Sequence, residues 1–267
     1  MAPMKTRLIG LVVLWGAGFN QAPAQNVCQE FSTWYQAHSS VAEPAVAYRS
    51  ELISHGLSAA EANQRFAELV RAMGSCPQVA ALNFDSIYTG EKMPFRTEPN
   101  AFLVECTKDV KPGRALDVAM GQGRNALYLA KTGWEVTGFD ISSKGLAAAR
   151  AAAELAGVKI QTVLQGWQDF DFGTEKWDLI VMSYAWVPIN DPAFVKRLLA
   201  GLRPAGLLVF EHYLVDKSGD VPGGPKPNEL LGLFGNDLRI LRYEDIETVS
   251  DWLNQSKARV ARLLASK

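Results

Sequence analysis

The sequence is poor in the residues that build metal and redox centres. Its 267 residues include three cysteines and three histidines. Cys28, Cys76 and Cys106 show no Cys-x-x-Cys or Cys/His spacing, which argues against a zinc site. His38 and His55 lie early and only His212 lies late, so a multi-histidine centre is not expected. Charge of one sign is also missing: 27 Lys and Arg against 28 Asp and Glu leave a net charge of -1. A chain so balanced carries no electrostatic footprint for nucleic acid or an anionic membrane. There are no internal repeats or low-complexity tracts, and no apolar run is long enough for a comfortable transmembrane helix. What is present is ordinary for a soluble globular enzyme, 48% hydrophobic and 21% charged. It suffices for one good-sized core and a small accessory region.

The N-terminus has its own pattern. Lys5 and Arg7 precede the apolar run Leu8 to Trp15, and Ala22-Pro23-Ala24 follows. A basic segment, a short apolar segment and an Ala-x-Ala site predict a signal peptide over 1–24. The expectation is an exported or periplasmic protein beginning near Gln25. The alternative is an uncleaved hydrophobic anchor or a frayed extension, the protein being cytoplasmic if the leader is not functional. Export would make Cys28 and Cys76 a candidate disulfide pair. Residues 25–82 read as a helical prefix. Ser58 and Glu61 form a capping box, and Phe66, Leu69, Val70 and Met73 recur at helical spacing before Gly74 and Pro77 end the pattern. Asn83 to Gly113 reads as a connecting stretch, with one helix over Ala101 to Asp109. Tyr88, Phe95 and Arg96 fall in that stretch, and Phe95 reads as linker packing.

From Arg114 the pattern changes. Short apolar strands are expected at Arg114–Ala119, Glu135–Phe139, Lys159–Leu164, Trp177–Met182 and Gly206–Glu211. Helices are expected between them at Asn125–Thr132, Lys144–Ala156 and Asp191–Leu202, with a late helix at Asn228–Leu231 and an edge strand at Leu238–Tyr243. Strands alternating with helices predict βαβ units and a mostly parallel, doubly wound α/β sheet over 83–267.

The most informative segment is Ala115-Leu116-Asp117-Val118-Ala119-Met120-Gly121-Gln122-Gly123-Arg124-Asn125-Ala126. It reads as strand, glycine turn and helix. Gly121 and Gly123 let the backbone turn where a Cβ would obstruct a ligand, and the helix start offers free N–H groups. Alone, this loop also fits a dinucleotide. Asp117 narrows the choice: a carboxylate there can accept from an α-amino group but is a poor neighbour for a pyrophosphate. Asp140 ends the second strand, where an acid can grip ribose hydroxyls.

These pieces resemble class I S-adenosylmethionine-dependent methyltransferases. Asp117 to Gly123 is similar to their acidic glycine motif, with Ala119 where the first glycine usually stands. Asp140 resembles the acid of the second motif, Trp177-Asp178-Leu179-Ile180-Val181 the fourth-strand motif, and Arg203-Pro204-Ala205-Gly206 the turn before strand five. Gly121 to Ala130 is particularly similar to the tellurite-resistance-type small-molecule branch. The resemblance implies a seven-stranded Rossmann-like sheet and S-adenosyl-L-methionine as cofactor. It implies cofactor contacts from Asp117, Ala119, Gly121, Gly123, Asn125, Asp140, Ile141, Trp167, Gln168, Asp169 and Ser183. Of these, Trp167, Gln168 and Asp169 would lie by the adenine, and the resemblance places Tyr88, Phe95 and Arg96, just before the domain, where related enzymes fold a segment over the cofactor.

The segment after strand four faces the methyl group in this fold, and here it is Ser183-Tyr184-Ala185-Trp186-Val187-Pro188. The Asn/Asp-Pro-Pro-aromatic motif of enzymes that methylate nucleic-acid or glutamine amines is absent. The acceptor is therefore expected to be a small molecule, with no nucleic-acid partner. Tyr184 and His212 are the catalytic candidates, His212 as a general base beside Glu211 and Tyr213. Two alternatives stand beside methyl transfer: a nicotinamide-dependent oxidoreductase on a similar loop, and a non-catalytic protein that binds S-adenosylmethionine.

Overall fold

The structure, a computed structural model, describes residues 24–38, 44–72, 77–90, 94–215, 224–252 and 257–267. The expected leader therefore lies outside the described residues, save its last residue, and so does the pairing of Cys28 with Cys76. No described helix is long and apolar enough to cross a membrane.

Among the described residues the prefix holds four helices: α1 (Ala24–Ala37), α2 (Pro44–Ser54), α3 (Ala59–Ala72) and α4 (Pro77–Thr89). The capping box starts α3 as expected. Ser58 Oγ accepts from the Glu61 N–H at 3.3 Å, and the Glu61 carboxylate accepts from the Ser58 N–H at 2.9 Å. Helix α4 corrects the sequence expectation. Asn83, taken as the start of the connecting stretch, lies inside it. Its apolar residues serve two neighbours rather than one, which blurs the one-sided periodicity that marks a surface helix.

The sheet domain then runs α5 (Ala101–Thr107), β1 (Arg114–Val118), α6 (Arg124–Lys131), β2 (Glu135–Asp140), α7 (Ser143–Leu155) and β3 (Ile160–Leu164). It continues with β4 (Trp177–Ser183), α8 (Pro192–Gly201), β5 (Leu202–Tyr213), α9 (Glu229–Phe234), β6 (Arg239–Val249) and β7 (Lys257–Ser266). The seven strands are ordered β3-β2-β1-β4-β5-β7-β6. The first five are mutually parallel, while β7 is antiparallel to both β5 and β6. Strand β5 begins earlier than expected: the turn at Pro204-Ala205 is absorbed into it, with Ala205 at φ +62°. Arg203 Nη1 holds this corner by donating to Asp178 Oδ1 at 2.9 Å.

Alternate residues of the central strands feed two cores, as a sheet covered on both faces requires. Leu116, Val118, Ile180, Met182, Leu208 and Phe210 join Phe139, Phe172, Trp177 and Phe194 on one side. Ala115, Leu179, Val181 and Val209 join Phe102, Leu103, Leu129 and Trp134 on the other. The chain winds outward in both directions from β1 and β4, so their carboxyl ends flank a crevice at the point where strand order reverses. That is where open α/β sheets bind ligands.

Candidate functional site

A cavity of about 980 Å³, its open mouth included, occupies this crevice. The glycine loop forms its floor. After β1 the backbone turns left-handed at Ala119 (φ +53°), Gly121 (φ +52°) and Gly123 (φ +77°). Ala119 thus adopts the conformation a glycine favours, although it carries a Cβ.

Two buried carboxylates hold the loop. Asp140 Oδ2 accepts from the Gly121 N–H at 2.8 Å, and its Oδ1 from the Ser142 N–H at 2.7 Å. Asp117 Oδ2 accepts from the Ala126 N–H at 3.1 Å, capping the first turn of α6. Burial raises the Asp117 carboxyl to about 7, against the pull of the Ala126 N–H and the Arg124 guanidinium. Burial likewise raises Asp140 to about 6, its backbone hydrogen bonds opposing the shift. Burial is the largest cause of both shifts, and a cationic or hydroxylic partner would oppose it.

Further along the wall, Gln168 Oε1 is buried with no hydrogen-bond partner among the described residues. Gly166 makes room for it, since a Cβ there would sit 2.6 Å from that oxygen. Gln168, Trp167, Gln165 and Ile141 line the same end of the cavity as Asp140. The unpartnered Gln168 oxygen and two buried carboxylates give the cavity an acceptor-rich lining. The donors of S-adenosylmethionine, its amine, ribose hydroxyls and adenine amine, are of the kind these residues require.

Part of the lining is aromatic. Trp252 stacks on Phe95 at 5.0 Å and on Tyr184 at 5.3 Å, with interplanar angles of 8° and 10°. Phe84 of α4 meets the Trp186 ring edge-on at 5.2 Å. All five line the cavity. Tyr184 has φ +54°, unusual for a bulky residue. Its N–H donates to the Glu211 carbonyl at 2.8 Å, and its hydroxyl donates to Glu211 Oε1 at 2.6 Å. Glu211 is buried and also accepts from Asn100 Nδ2 at 2.9 Å and Arg262 Nε at 2.5 Å. The phenol faces a carboxylate in a dry setting, so its pKa is driven upward and it acts as a fixed donor.

Of the residues expected from sequence, Asp117, Ala119, Gly121, Asn125, Asp140, Ile141, Trp167, Gln168, Ser183 and Tyr184 line this cavity together. Three do not. Gly123 packs under the loop, where a Cβ would come within 2.8 Å of Ala149 Cβ. Asp169 is exposed to solvent outside the lining. His212 is fully buried and is not among the lining residues. Its Nδ1 pairs with the Tyr213 carbonyl at 3.1 Å, and its Nε2 has no partner among the described residues. Burial lowers its pKa to about 4. It follows Glu211 in β5, so its side chain projects from the opposite face to the glutamate's. Phe95 is corrected in the other direction, from linker packing to a buried cavity wall.

The sequence reading missed Arg124, Gln165 and Trp252. Arg124 is buried, and its Nη1 donates to the carbonyls of Glu98 at 3.0 Å and Asp251 at 2.8 Å. Its Nη2 pairs with Asp251 Oδ1 at 3.0 Å. Its place right after the glycine turn was a legible signal, whereas Trp252 comes from a segment with no motif. Among the described residues no cluster of His, Cys, Asp and Glu could hold a metal ion.

Comparison with known proteins agrees with the geometry. Residues 115–206 match the methyltransferase domain family. Over 103 residues the chain is 29% identical to the probable S-adenosyl-L-methionine-dependent methyltransferase TehB of Haemophilus influenzae (strain 10810), covering 36% of this chain and 34% of that protein. Over 104 residues it is 36% identical to a methyltransferase of Geobacillus sp. (strain WCH70), covering 37% and 41%. The match thus spans about a third of the length of TehB. The crystal structure of Haemophilus influenzae TehB superposes with a TM-score of 0.54 at 23% identity, over 63% of this chain and 62% of that one. The [4+2]-cyclase SpnF superposes with a TM-score of 0.53 at 16% identity, over 62% and 78%. These likenesses show the fold, and the cyclase shows that the fold alone does not name a reaction. The segment 115–206 carries a methyltransferase domain, similar over this stretch to the probable S-adenosyl-L-methionine-dependent methyltransferase TehB.

Proposed function

We propose that the protein binds S-adenosylmethionine in this cavity and that its methyl group passes to a small-molecule acceptor by in-line displacement. One observation carries the reading: Asp117, Asp140 and the unpartnered Gln168 oxygen face one crevice at the switch point of a methyltransferase sheet. When bound, the cofactor supplies an electrophilic methyl on a sulfonium, already activated for displacement.

The chain has two tasks, binding and alignment. Asp117 and Asp140 would ionise fully against cationic and hydroxylic donors, with the loop N–H groups keeping Asp140 oriented. Gln168 would accept from an exocyclic amine. On the acceptor side, Tyr184, Trp252, Phe95 and Trp186 form a rigid apolar wall that excludes water and whose ring faces suit a cationic sulfonium. The Tyr184 hydroxyl already donates to Glu211, and His212 lies off the cavity. Among the described residues neither group is thus a free base facing the wall, and the site suits an acceptor that brings its own lone pair.

Titration with S-adenosylmethionine, S-adenosylhomocysteine and NADH tests the donor site. Binding of NADH but neither sulfur compound would replace this reading with the oxidoreductase one. Product formation from a panel of small oxygen, nitrogen, sulfur and chalcogen nucleophiles then tests transfer itself. Tight binding with no turnover on any of them would favour a non-catalytic binding protein.

A further inference from the structure

Asn100 is fully buried at the start of α5, and its polar groups reach in several directions. Its Oδ1 accepts from the Leu103 N–H at 2.9 Å and caps the helix, while its backbone N–H donates to Asn125 Oδ1 at 2.9 Å. Its Nδ2 serves two carboxylates. It donates to Glu211 Oε1 at 2.9 Å and to Asp251 Oδ2 at 3.0 Å. An N–H on one side and two carboxylates on the other fix which way the amide points.

Each carboxylate carries part of the aromatic wall. Glu211 holds Tyr184 twice, by its carbonyl and by its side chain, and so keeps a bulky residue at φ +54°. Asp251 directly precedes Trp252, whose ring stacks on that of Tyr184. Both acids are also anchored from elsewhere: Arg262 of β7 donates to Glu211 Oε2, and Arg124 of α6 donates to Asp251 Oδ1. Arg124 and Asn125 open the helix that follows the glycine loop. The Asn100 amide thus ties together the end of β5, the segment before Trp252 and the start of α6. Buried charge-assisted hydrogen bonds of this kind hold their members in one geometry. A helix cap alone does not call for asparagine, since serine and aspartate cap as well. Among capping side chains only asparagine offers the helix an acceptor and two carboxylates an N–H each.

We propose that Asn100 is the positioning residue of the acceptor wall: its amide holds Glu211 and Asp251 at one separation, and through them the Tyr184 and Trp252 rings, in register with the glycine loop. The acceptor half of this proposal rests on the reading of the wall given above.

Two variants separate this role from helix capping. Asn100→Ser keeps the cap but has one short hydroxyl donor for two carboxylates. Asn100→Asp keeps the cap and the shape but puts a third acid beside Glu211 and Asp251. Burial and those two neighbours favour its protonated form, against the pull of Arg124 and Arg262, with the Tyr184 hydroxyl committed to Glu211. Labelling the full chain with 5-fluorotryptophan gives each of its seven tryptophans a fluorine signal, and Trp252→Phe assigns the one that matters. In ligand-free Asn100→Ser the Trp252 line should shift or split at every pH. In Asn100→Asp it should do so at alkaline pH and return toward wild type as pH falls and the new acid regains a proton to donate. With benzyl mercaptan as acceptor, kcat/KM should fall about tenfold in Asn100→Ser, while the Kd for S-adenosylhomocysteine stays within about twofold. A Trp252 line unmoved in Asn100→Ser, or matching wild type in Asn100→Asp at alkaline pH, overturns the frame. A displaced line with unchanged kcat/KM overturns its role toward the acceptor, as does an equal loss of S-adenosylhomocysteine affinity. A wild type that binds S-adenosylhomocysteine but neither methylates benzyl mercaptan nor shows a Trp252 line that responds to it would instead overturn the reading of the wall, leaving the fluorine line to judge the frame alone.

Discussion

Replacing Asp117 with asparagine should stabilise the ligand-free protein while disabling its donor site. The side chain is 2% exposed, and its hydrogen bond from the Ala126 N–H can equally be accepted by an asparagine oxygen. Burial lifts the carboxyl from 3.8 to about 7. Keeping it ionised above that pH therefore costs the folded state up to roughly 4 kcal/mol. The new amide NH₂ must itself be accommodated, which reduces the expected gain at alkaline pH to about 1–3 kcal/mol. The pH dependence fixes the sign. Between about 4 and 7 the folded state holds a proton on Asp117 that the unfolded chain has released. Stability is thus lost as pH rises through that window, and the advantage of the variant grows from near zero at its acidic end to full size above it. Urea unfolding of both proteins across this range reads the difference directly. Adding S-adenosylmethionine should invert the order, since a ligand at a thousand times its Kd stabilises only the protein that binds it, by about 4.1 kcal/mol. An asparagine variant less stable than wild type at alkaline pH without ligand would refute the argument that this carboxylate is buried at a cost awaiting a cationic partner.

Other perturbations follow from the same geometry. Ala119→Gly relieves a left-handed alanine but loosens the unfolded chain, so thermal and urea unfolding should show a change between zero and about 1 kcal/mol of stabilisation; a loss above that would mean the Cβ packs usefully. His212→Gln should leave turnover within about twofold at neutral pH, where loss of a general base would cost 10²–10⁴-fold. The same variant should gain on wild type as pH falls from 6.5 toward about 4, because the folded state resists protonating His212 while the unfolded chain does not. Arg124→Gln removes the guanidinium 3.0 Å from Asp251 Oδ1 and leaves that carboxylate only the neutral donors Asn100 Nδ2 at 3.0 Å and the Ala101 N–H at 2.9 Å. Unfolding titrations should show a loss of about 2–3 kcal/mol, and a neutral result would place that pair among the ordinary surface ones.

How much of this was legible in the sequence depends on the range of the interactions. The loop from Asp117 to Asn125 and the acid at Asp140 could be read because strand, turn and cap are local, and each demands particular residues at fixed spacing. The five parallel strands were legible for the same reason. Strand β7 was not read at all. Lys257-Ala258-Arg259-Val260-Ala261-Arg262 alternates cleanly only once Phe210↔Leu263 and Glu244↔Arg262 are known partners, and those pairings cross long stretches of chain. Helix α4 was mistaken for a linker because its residues answer to two surfaces, the prefix and the donor site, and periodicity shows only one face at a time. The aromatic wall was illegible for a related reason: Phe95, Tyr184 and Trp252 share no motif and meet only through tertiary packing. His212 was misplaced by a rule correct at the level of the strand end, that ligands gather there, but blind to side-chain alternation. Glu211 and His212 occupy the same edge and opposite faces, and a single residue of register separates the acid that anchors Tyr184 from an imidazole sealed away from the cavity. Local chemistry thus announced the glycine-loop side of the cavity, while the aromatic wall and helix α4 beside it arise from contacts between distant segments. Specificity for the acceptor should therefore respond most to substitutions at Trp252, Phe95 and Phe84, none of which belongs to a recognisable motif.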